Sequence, residues 1–563
     1  MVKDLLIDVG STFIKYRLFD SAVGVMMCDG SVPFPRGECY GEDVVDAVKG
    51  VFLAVAEHHP RRAFICVQMH GYITEQGGTV SPYSSWRDAN GRVEAVSDSE
   101  MDFSALGTAL KANLPLVKLW GKPRCDAFYT LGSYICKALT GINATHVTDA
   151  CASGFYYAAN GAVNGYAPSV NMPRAYTEVT PIGKYGDCLI YTPVGDHQAS
   201  YLGAGGDALL LNIGTASQLS VLGEVGEDGC GEARPYFCGN KRLYTVSGLV
   251  GGDRLYRGEG IDELEKQLSR ALDILPKRSD IILGGGGAET VFSSLRTFFE
   301  KRGMTCTMSE ARIGLDGLAV LASRLRIKSG TMLSEVQFAN FPIIAKNAGL
   351  DFIIADNEHG AFDSTFTARL VMNSRLVGID CIVRLGDSDR GTVTRLTDMG
   401  VRGFLLPMCN TADDIKKVVR YAKYAPIGER GISTTRAHTM YSPPPLAEYM
   451  PIANEEMKIY AQIETVKGVE SCAAILGTRG VEGVLIGPND LSADPRCAFS
   501  REVLAGLIRQ VADTAGRMKK PWGIITADEE LTELAIDLGA SMISRGSELN
   551  MLITGCKKIR ERL

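Results

Sequence analysis

Ala322-Ser323-Arg324-Leu325-Arg326-Ile327-Lys328-Ser329-Gly330-Thr331-Met332 is the stretch at which one pattern of motifs stops and another begins. Upstream of it, Asp316-Gly317-Leu318-Ala319-Val320-Leu321-Ala322 has the small, Ala/Leu-rich content of a packed helix. Downstream, Arg326 to Met332 reads as a short strand entering a new fold. No Pro/Ser/Gly-rich spacer separates the two. The junction is therefore read as a direct helix-to-strand splice between domains held close.

A chain of 563 residues is too long for one core, and dividing by about 150 gives roughly three to four structural units. Three lobes fit, over residues 1–200, 201–324 and 325–563. With 45% hydrophobic and 22% charged residues the composition is that of an ordinary folded protein. A net charge of -6, with no Lys/Arg cluster interleaved with aromatics, gives no footprint for nucleic acid. The 15 Cys form no C-x-x-C pair and no Cys/His grouping at zinc-finger spacing, so reduced and mostly buried thiols are expected. The first residues, Met1 to Asp8, put an acid inside what would be the apolar core of a signal peptide, and no apolar run approaches membrane-spanning length. A cytoplasmic protein without a membrane partner is expected.

In the upstream half, Leu5-Leu6-Ile7-Asp8-Val9-Gly10-Ser11-Thr12-Phe13-Ile14-Lys15 reads as strand, tight glycine turn, strand. Free backbone N–H groups and small hydroxyls at such a turn can hold a phosphate, and an Asp at its mouth can hold Mg²⁺ through water. The same chemistry recurs at Leu210-Leu211-Asn212-Ile213-Gly214-Thr215-Ala216-Ser217. A third element, Ile281-Ile282-Leu283-Gly284-Gly285-Gly286-Gly287-Ala288, runs from strand through glycines into a helix, where backbone can approach a nucleotide closely. Two phosphate hairpins, one opening each lobe, point to an α/β fold of the two-lobed actin/hexokinase (ribonuclease H-like) type.

Between the hairpins lie Gln68-Met69-His70-Gly71, Ser85-Trp86-Arg87-Asp88, Leu139-Thr140-Gly141, Asp149-Ala150-Cys151-Ala152-Ser153-Gly154 and Gly195-Asp196-His197-Gln198. In this order and spacing they resemble the FGGY carbohydrate kinases, most of all the sedoheptulokinase branch, over residues 2 to about 324. The resemblance implies that Asp196 is the general base for the sugar hydroxyl. It further implies that Asp8, Gly10, Thr12, Lys15, Gly214, Thr215 and Ser217 face Mg²⁺ and ATP, that Gly284, Gly285, Gly286 and Gly287 sit against the adenosine, and that Gln68, His70, Trp86 and Asp88 line the sugar. Phosphoryl transfer needs positioning, a divalent ion and a carboxylate aimed at the attacking hydroxyl, which agrees with this assignment. Two departures stand out. The second lobe is short, and Asn90 stands where these kinases commonly place an Arg, which leaves the stereochemistry of the sugar open.

From Arg326 the chain alternates apolar strands with amphipathic helices. Eight strands are expected at Ile327–Leu333, Phe352–Asp356, Cys381–Leu385, Gly403–Met408, Ile459–Glu464, Gly483–Ile486, Trp522–Thr526 and Ser541–Ser544, the count of a (β/α)8 TIM barrel. Polar motifs fall at strand ends: Asp356-Asn357-Glu358-His359-Gly360, Arg384, Gln462-Ile463-Glu464-Thr465 and Gly487-Pro488-Asn489-Asp490-Leu491-Ser492. This set resembles the HpcH/HpaI class II pyruvate aldolases across residues 326–563. The resemblance implies that Glu464 and Asp490 hold a divalent metal, that Arg384, Gln462, Gly487 and Pro488 bind the keto acid, and that His359 is the acid/base with Asp398 in support. Two carboxylates suit Mg²⁺ or Mn²⁺ better than zinc, and no Lys stands at a strand end for Schiff-base chemistry.

The chain therefore reads as a kinase fused to an aldolase, acting on a small sugar or keto acid and self-associating through the barrel. Two alternatives stay open at this point. The upstream half is then a sugar- or nucleotide-sensing module, or the two catalysts are independent and merely fused.

Overall fold

A computed structural model describes residues 3–21, 24–97, 101–206, 208–225, 231–237, 241–309 and 312–561. The chain divides into two units, Met1–Arg324 and Leu325–Leu563.

Among the described residues the first unit contains two large sheets, with a three-stranded and a two-stranded sheet beside them. Leu5, Ile7, Val9, Ala63, Ile65 and Val67 come from apolar runs and are buried together, as expected where parallel strands are covered on both faces. Among the described residues their sheet has seven strands. Lys3–Val9 pairs antiparallel with Phe13–Asp20, which closes the first hairpin, and parallel with Arg62–Val67. Val194–Gly195 runs parallel to Arg62–Val67 on its other side, with Val194 opposite Cys66 just as Asp8 is. Three parallel strands thus end at one level, bringing Asp8, Gln68 and Asp196 to one edge, the place where open α/β sheets bind ligands.

The six-stranded second sheet runs Glu232–Pro235, Lys241–Leu249, Ser217–Glu224, Leu209–Ile213, Asp280–Gly284, Thr305–Met308. Leu209–Ile213 and Ser217–Glu224 form the second hairpin, and Asp280–Gly284 lies parallel to the first of these with Asn212 opposite Gly284. The glycine run therefore emerges beside the Gly214 turn.

Two helices carry the chain between the sheets. Asp196–Gly203 leads out of the first, and Ile313–Arg324 returns from the second to pack on Lys3–Val9. They cross through glycine: a Cβ on Gly317 would overlap the Ala199 carbonyl, and one on Gly203 would overlap the Ile313 carbonyl. The returning helix is pinned at both ends. Asp316 accepts from Arg17 at 2.5 Å, and the Ala322 carbonyl accepts from Arg62 at 3.0 Å.

The second unit is a closed barrel of eight parallel strands: Lys328–Leu333, Phe352–Asp356, Asp380–Arg384, Gly403–Leu406, Lys458–Ile463, Gly483–Ile486, Trp522–Ile525 and Met542–Ser547. Phe352, Ile354, Ile382, Leu405, Tyr460, Leu485 and Met542 fill its interior, so it is a packed core rather than a channel. Its closing helix, Glu548–Glu561, leaves Met551, Leu552, Ile553 and Ile559 exposed. Among the described residues no helix is long and apolar enough to cross a membrane.

Candidate functional sites

At the sheet edge of the upstream unit, Asp196 is the first residue of its helix. Burial pushes its carboxyl up to about 7, and the neighbouring Asp8 charge adds to the rise; the His197 N–H and Arg234 oppose it. Asp8 is raised by its own burial, with Lys15 opposite in register pulling the other way. Cys66 lies between the two acids and donates to Asp8 Oδ1 at 3.4 Å. The first turn of the returning helix closes on the same point, since a Cβ on Gly314 would come 3.1 Å from Asp8 Oδ2.

The two turns behave as matching halves. Gly10 N–H donates to the Phe13 carbonyl at 3.1 Å, and Thr12 stays exposed. In the second, the Gly214 carbonyl accepts from Gly252 N–H at 2.7 Å, Thr215 is exposed, and Ser217 is buried with its hydroxyl unpartnered. Gly287 N–H donates to the Ile213 carbonyl at 3.0 Å, which seats the glycine run on the strand below this turn. Gly285 has φ +89°, and a Cβ there would come within 2.5 Å of the Ile213 carbonyl, so both conformation and packing require glycine. Tyr256 donates to the Gly286 carbonyl.

Gln68 is 3% exposed, yet neither its amide oxygen nor its amide nitrogen has a partner. A buried unpaired amide is costly, which marks a place where a polar ligand belongs. His70 adopts φ +64°, an uncommon conformation for a side-chain-bearing residue, and its Nδ1 lies 2.7 Å from the Ala152 carbonyl. Burial, aided by the charges of Lys111 and Arg234, pulls its pKa down to about 3, so the ring is neutral. Trp86 is half-buried, and the Asp88 carboxylate folds back onto Ser85 N–H at 2.9 Å.

Several residues here have no role that the motifs assign. Arg87 donates to Ser11 Oγ at 3.0 Å and Thr215 Oγ1 at 3.4 Å, one from each turn. Lys111 pairs with Glu232, which also accepts from Arg234 Nη2 at 3.1 Å and Ser247 Oγ at 2.6 Å. Arg234 Nη1 donates to Gln218 Oε1 at 3.1 Å, and Gln218 Nε2 is 2.7 Å from His197 Nδ1. A polar chain thus runs from the edge of the second sheet to the residue beside Asp196. A pattern search misses it because Lys111 lies in an irregular segment and its partners lie far along the chain.

At the barrel mouth, Arg384 is the organising cation. Asp356 takes its Nε at 2.9 Å and Nη2 at 2.6 Å, and Glu358 lies 3.3 Å from Nη1. Asp356 also accepts from the N–H groups of Glu358 and His359, which shapes the loop that presents them. Glu464 is 4% exposed and held at both oxygens: Met408 N–H at 2.8 Å, reached through φ +47°, and Gln462 Nε2 at 2.6 Å. Gly487 is glycine because a Cβ would come 2.5 Å from Glu464 Oε1. Pro488 opens the short helix that carries Asp490, which is exposed. Burial pushes Glu464 up to about 7, against the Met408 N–H, with Asp490 and Glu358 adding repulsion and Arg384 offsetting it.

His359 is exposed, its Nε2 3.8 Å from Glu358 Oε2. Asp398, which the resemblance puts in support of His359, has its contacts elsewhere in this chain. Asp398 ends the helix Arg390–Asp398, where it accepts from Arg430 at 3.1 Å beside His438, because the buried Arg430 guanidinium draws it there. Among the described residues no three His, Cys, Asp or Glu side chains gather as a ready-made metal cage. The acid pair nevertheless fits a hard cation. Glu464 and Asp490 repel each other, and the buried Gln462 Oε1 beside them has no partner.

The HpcH/HpaI aldolase/citrate lyase family matches residues 339–555. The solved HpcH/HpaI aldolase from Desulfitobacterium hafniense DCB-2 is 32% identical to this chain, with 43% of this chain and 95% of that one covered and a TM-score of 0.40. Through its barrel, the chain belongs to this family. The 5-keto-4-deoxy-D-glucarate aldolase of Escherichia coli O139:H28 (strain E24377A / ETEC) is 29% identical over 217 residues, 38% of this chain and 84% of that protein. The upstream part has a more distant counterpart in the ligand-bound xylulose kinase from Lactobacillus acidophilus, at 16% identity and a TM-score of 0.49, covering 57% of this chain and 89% of that one.

Proposed function

We propose that the chain is a two-site enzyme that phosphorylates a sugar or 2-keto-3-deoxy sugar acid with ATP and cleaves the resulting 4-hydroxy-2-keto acid to pyruvate and an aldehyde phosphate. The observation that carries the reading is shared by both units: a carboxyl group pushed up to about 7 sits at strand ends facing a second acid, Asp196 with Asp8 and Glu464 with Asp490.

In the upstream cleft, Asp196 takes the proton of the terminal hydroxyl, a task for which a pKa near the working pH is best suited. Asp8, Gly10, Thr12, Lys15, Gly214, Thr215 and Ser217 hold the phosphates of Mg-ATP, and Gly284 to Gly287 take the adenosine. Gln68, whose amide has no partner in the protein, binds sugar hydroxyls with His70, Trp86 and Asp88.

In the HpcH/HpaI barrel, Glu464 and Asp490 would hold Mg²⁺ or Mn²⁺, which when bound supplies positive charge where negative charge develops on the keto-acid oxygens. Arg384, held in place by Asp356, keeps guanidinium N–H groups for the substrate carboxylate, and the Gln462 amide orients it. His359 takes the C4 hydroxyl proton as the C3–C4 bond breaks, with Asp398 in support and Glu358 as its neighbour in the chain. The exposed apolar face of Glu548–Glu561 supports self-association through the barrel.

The test compares wild type with Asp196→Asn, with and without ATP, on the free acid and on its phosphate ester. Pyruvate release from the free acid is expected to need both ATP and Asp196, whereas the ester is cleaved by either protein. Equal cleavage of the free acid without ATP would sink the kinase-first order.

A further inference from the structure

Lys111, Glu232 and Arg234 form a charge cluster that the scheme above leaves unused. Arg234 is 4% exposed and Glu232 is 5% exposed, while the Lys111 side chain is 24% exposed and forms the open end of the group. Two cations share one carboxylate there. Glu232 is fully occupied, accepting from Lys111, from Arg234 at 3.2 and 3.1 Å, and from Ser247 at 2.6 Å. Asp196 also feels Arg234, yet among the described residues no hydrogen bond or ion pair joins it to either cation. Buried charge without a counter-charge is costly, so the cluster is short of one negative charge.

The cluster lies by the sugar subsite. Arg234 reaches His197, next to Asp196, through Gln218, and the Pro235 carbonyl accepts from Gln198 of the same helix at 3.2 Å. Lys111, Arg234 and Glu232 all act on the His70 ring, two residues beyond the unpartnered Gln68 amide.

We infer that Lys111 and Arg234 read a carboxylate on the substrate of the upstream cleft, which makes that cleft selective for sugar acids over neutral sugars of the same length. The deficit of a single charge matches a carboxylate rather than a doubly charged phosphate. This rests on the reading of the upstream cleft as a sugar-phosphorylating site, and it gives Glu232 the role of spacing the two cations.

The experiment uses hydrogen–deuterium exchange on the full chain, which separates binding in the cleft from binding at the barrel. The probes are a diastereomeric mixture of 2-keto-3-deoxyhexonate and the corresponding methyl esters. The acid is expected to slow exchange in residues 103–118 and 231–237 at concentrations at least about tenfold below the esters, the size expected of a charge-assisted contact. Lys111→Met should erase the difference and Lys111→Arg should keep it, with protection of residues 281–288 by ATP reporting that each variant is folded. Equal protection by acid and ester in wild type overturns the inference whether or not the variants fold, as does a Lys111→Met variant that behaves like wild type. ATP consumption is followed in parallel. Acid-selective protection without ATP turnover overturns the kinase reading alone, and turnover that ignores the carboxylate overturns the inference alone.

Discussion

Asp196 in the upstream unit and Glu464 in the barrel are both carboxyl groups held near neutrality, each by burial and a facing acid. They differ in what is fastened to them. Glu464 has one oxygen on Met408 N–H and the other on the Gln462 amide, with the clamped Arg384 near enough to offset part of its rise. Asp196 has the His197 N–H at the start of its own helix and no side chain hydrogen-bonded to it among the described residues. A group that must accept and return a proton needs that freedom, whereas a metal ligand gains from being held at a fixed angle. The same rise therefore suits two chemistries, and anchoring separates them.

The sharpest way to break this contrast is to remove the anchored acid. Glu464→Gln is expected to lower pyruvate release from a phosphorylated 4-hydroxy-2-keto acid by about 10³-fold or more, the several kcal/mol that a metal supplies, with ATP consumption unchanged. A loss below tenfold would show that Glu464 is not the ligand. Asp196→Asn is expected to cut sugar-dependent ATP consumption by about 10²- to 10⁴-fold while cleavage of the ester stays intact. The wild-type rate should climb about tenfold per pH unit below pH 7 and level off above it, and a flat profile would remove the base.

A smaller effect is expected from Arg87, which joins the two turns through Ser11 and Thr215. Arg87→Met should raise the KM for ATP by about tenfold and leave the pH profile where it was, since the guanidinium ties the two turns together without moving the proton. The last effect is on stability. Glu464 has a folded value of about 7 against an ordinary 4.5, so the folded state binds more protons between these values. Its contribution is then complete below about pH 4.5 and lost as pH rises through 7, on the order of 3 kcal/mol in all. Melting in chelator should fall between pH 5 and 8 more for wild type than for Glu464→Gln, and Mn²⁺ at pH 8 should reverse most of that difference. Parallel curves for the two proteins would mean that Glu464 does not titrate in this window.

Much of the architecture was legible because it is written locally. Apolar runs ending in Asp8, Gly214, Asp356 and Glu464 announce strands and their functional ends together, since in parallel sheets the two coincide. The barrel strands differ from expectation mainly at their edges: the last begins at Met542 and runs on to Ser547 rather than stopping at Ser544. What stayed hidden depends on distance along the chain. Arg234 acquires meaning from Lys111 and Gln218, and Asp356 from Arg384, partners that no spacing rule links. Asp398 is a case where contacts within the chain add to what the sequence shows. It stands at the position the resemblance assigns, and its carboxylate accepts from Arg430.

The helices Asp196–Gly203 and Ile313–Arg324 are the two passages of the chain between the upstream sheets, and at Gly203 and Gly317 they touch backbone to backbone. Neither glycine leaves room for a side chain, so the crossing rests on backbone contact there and can serve as a hinge pin. One begins at Asp196 and the other begins against Asp8. If the lobes swing shut over a substrate, the far walls of the cleft, with Trp86 and the glycine run, travel furthest, while the two acids at the pin scarcely move. Their separation is thus set when the protein folds, before any ligand arrives.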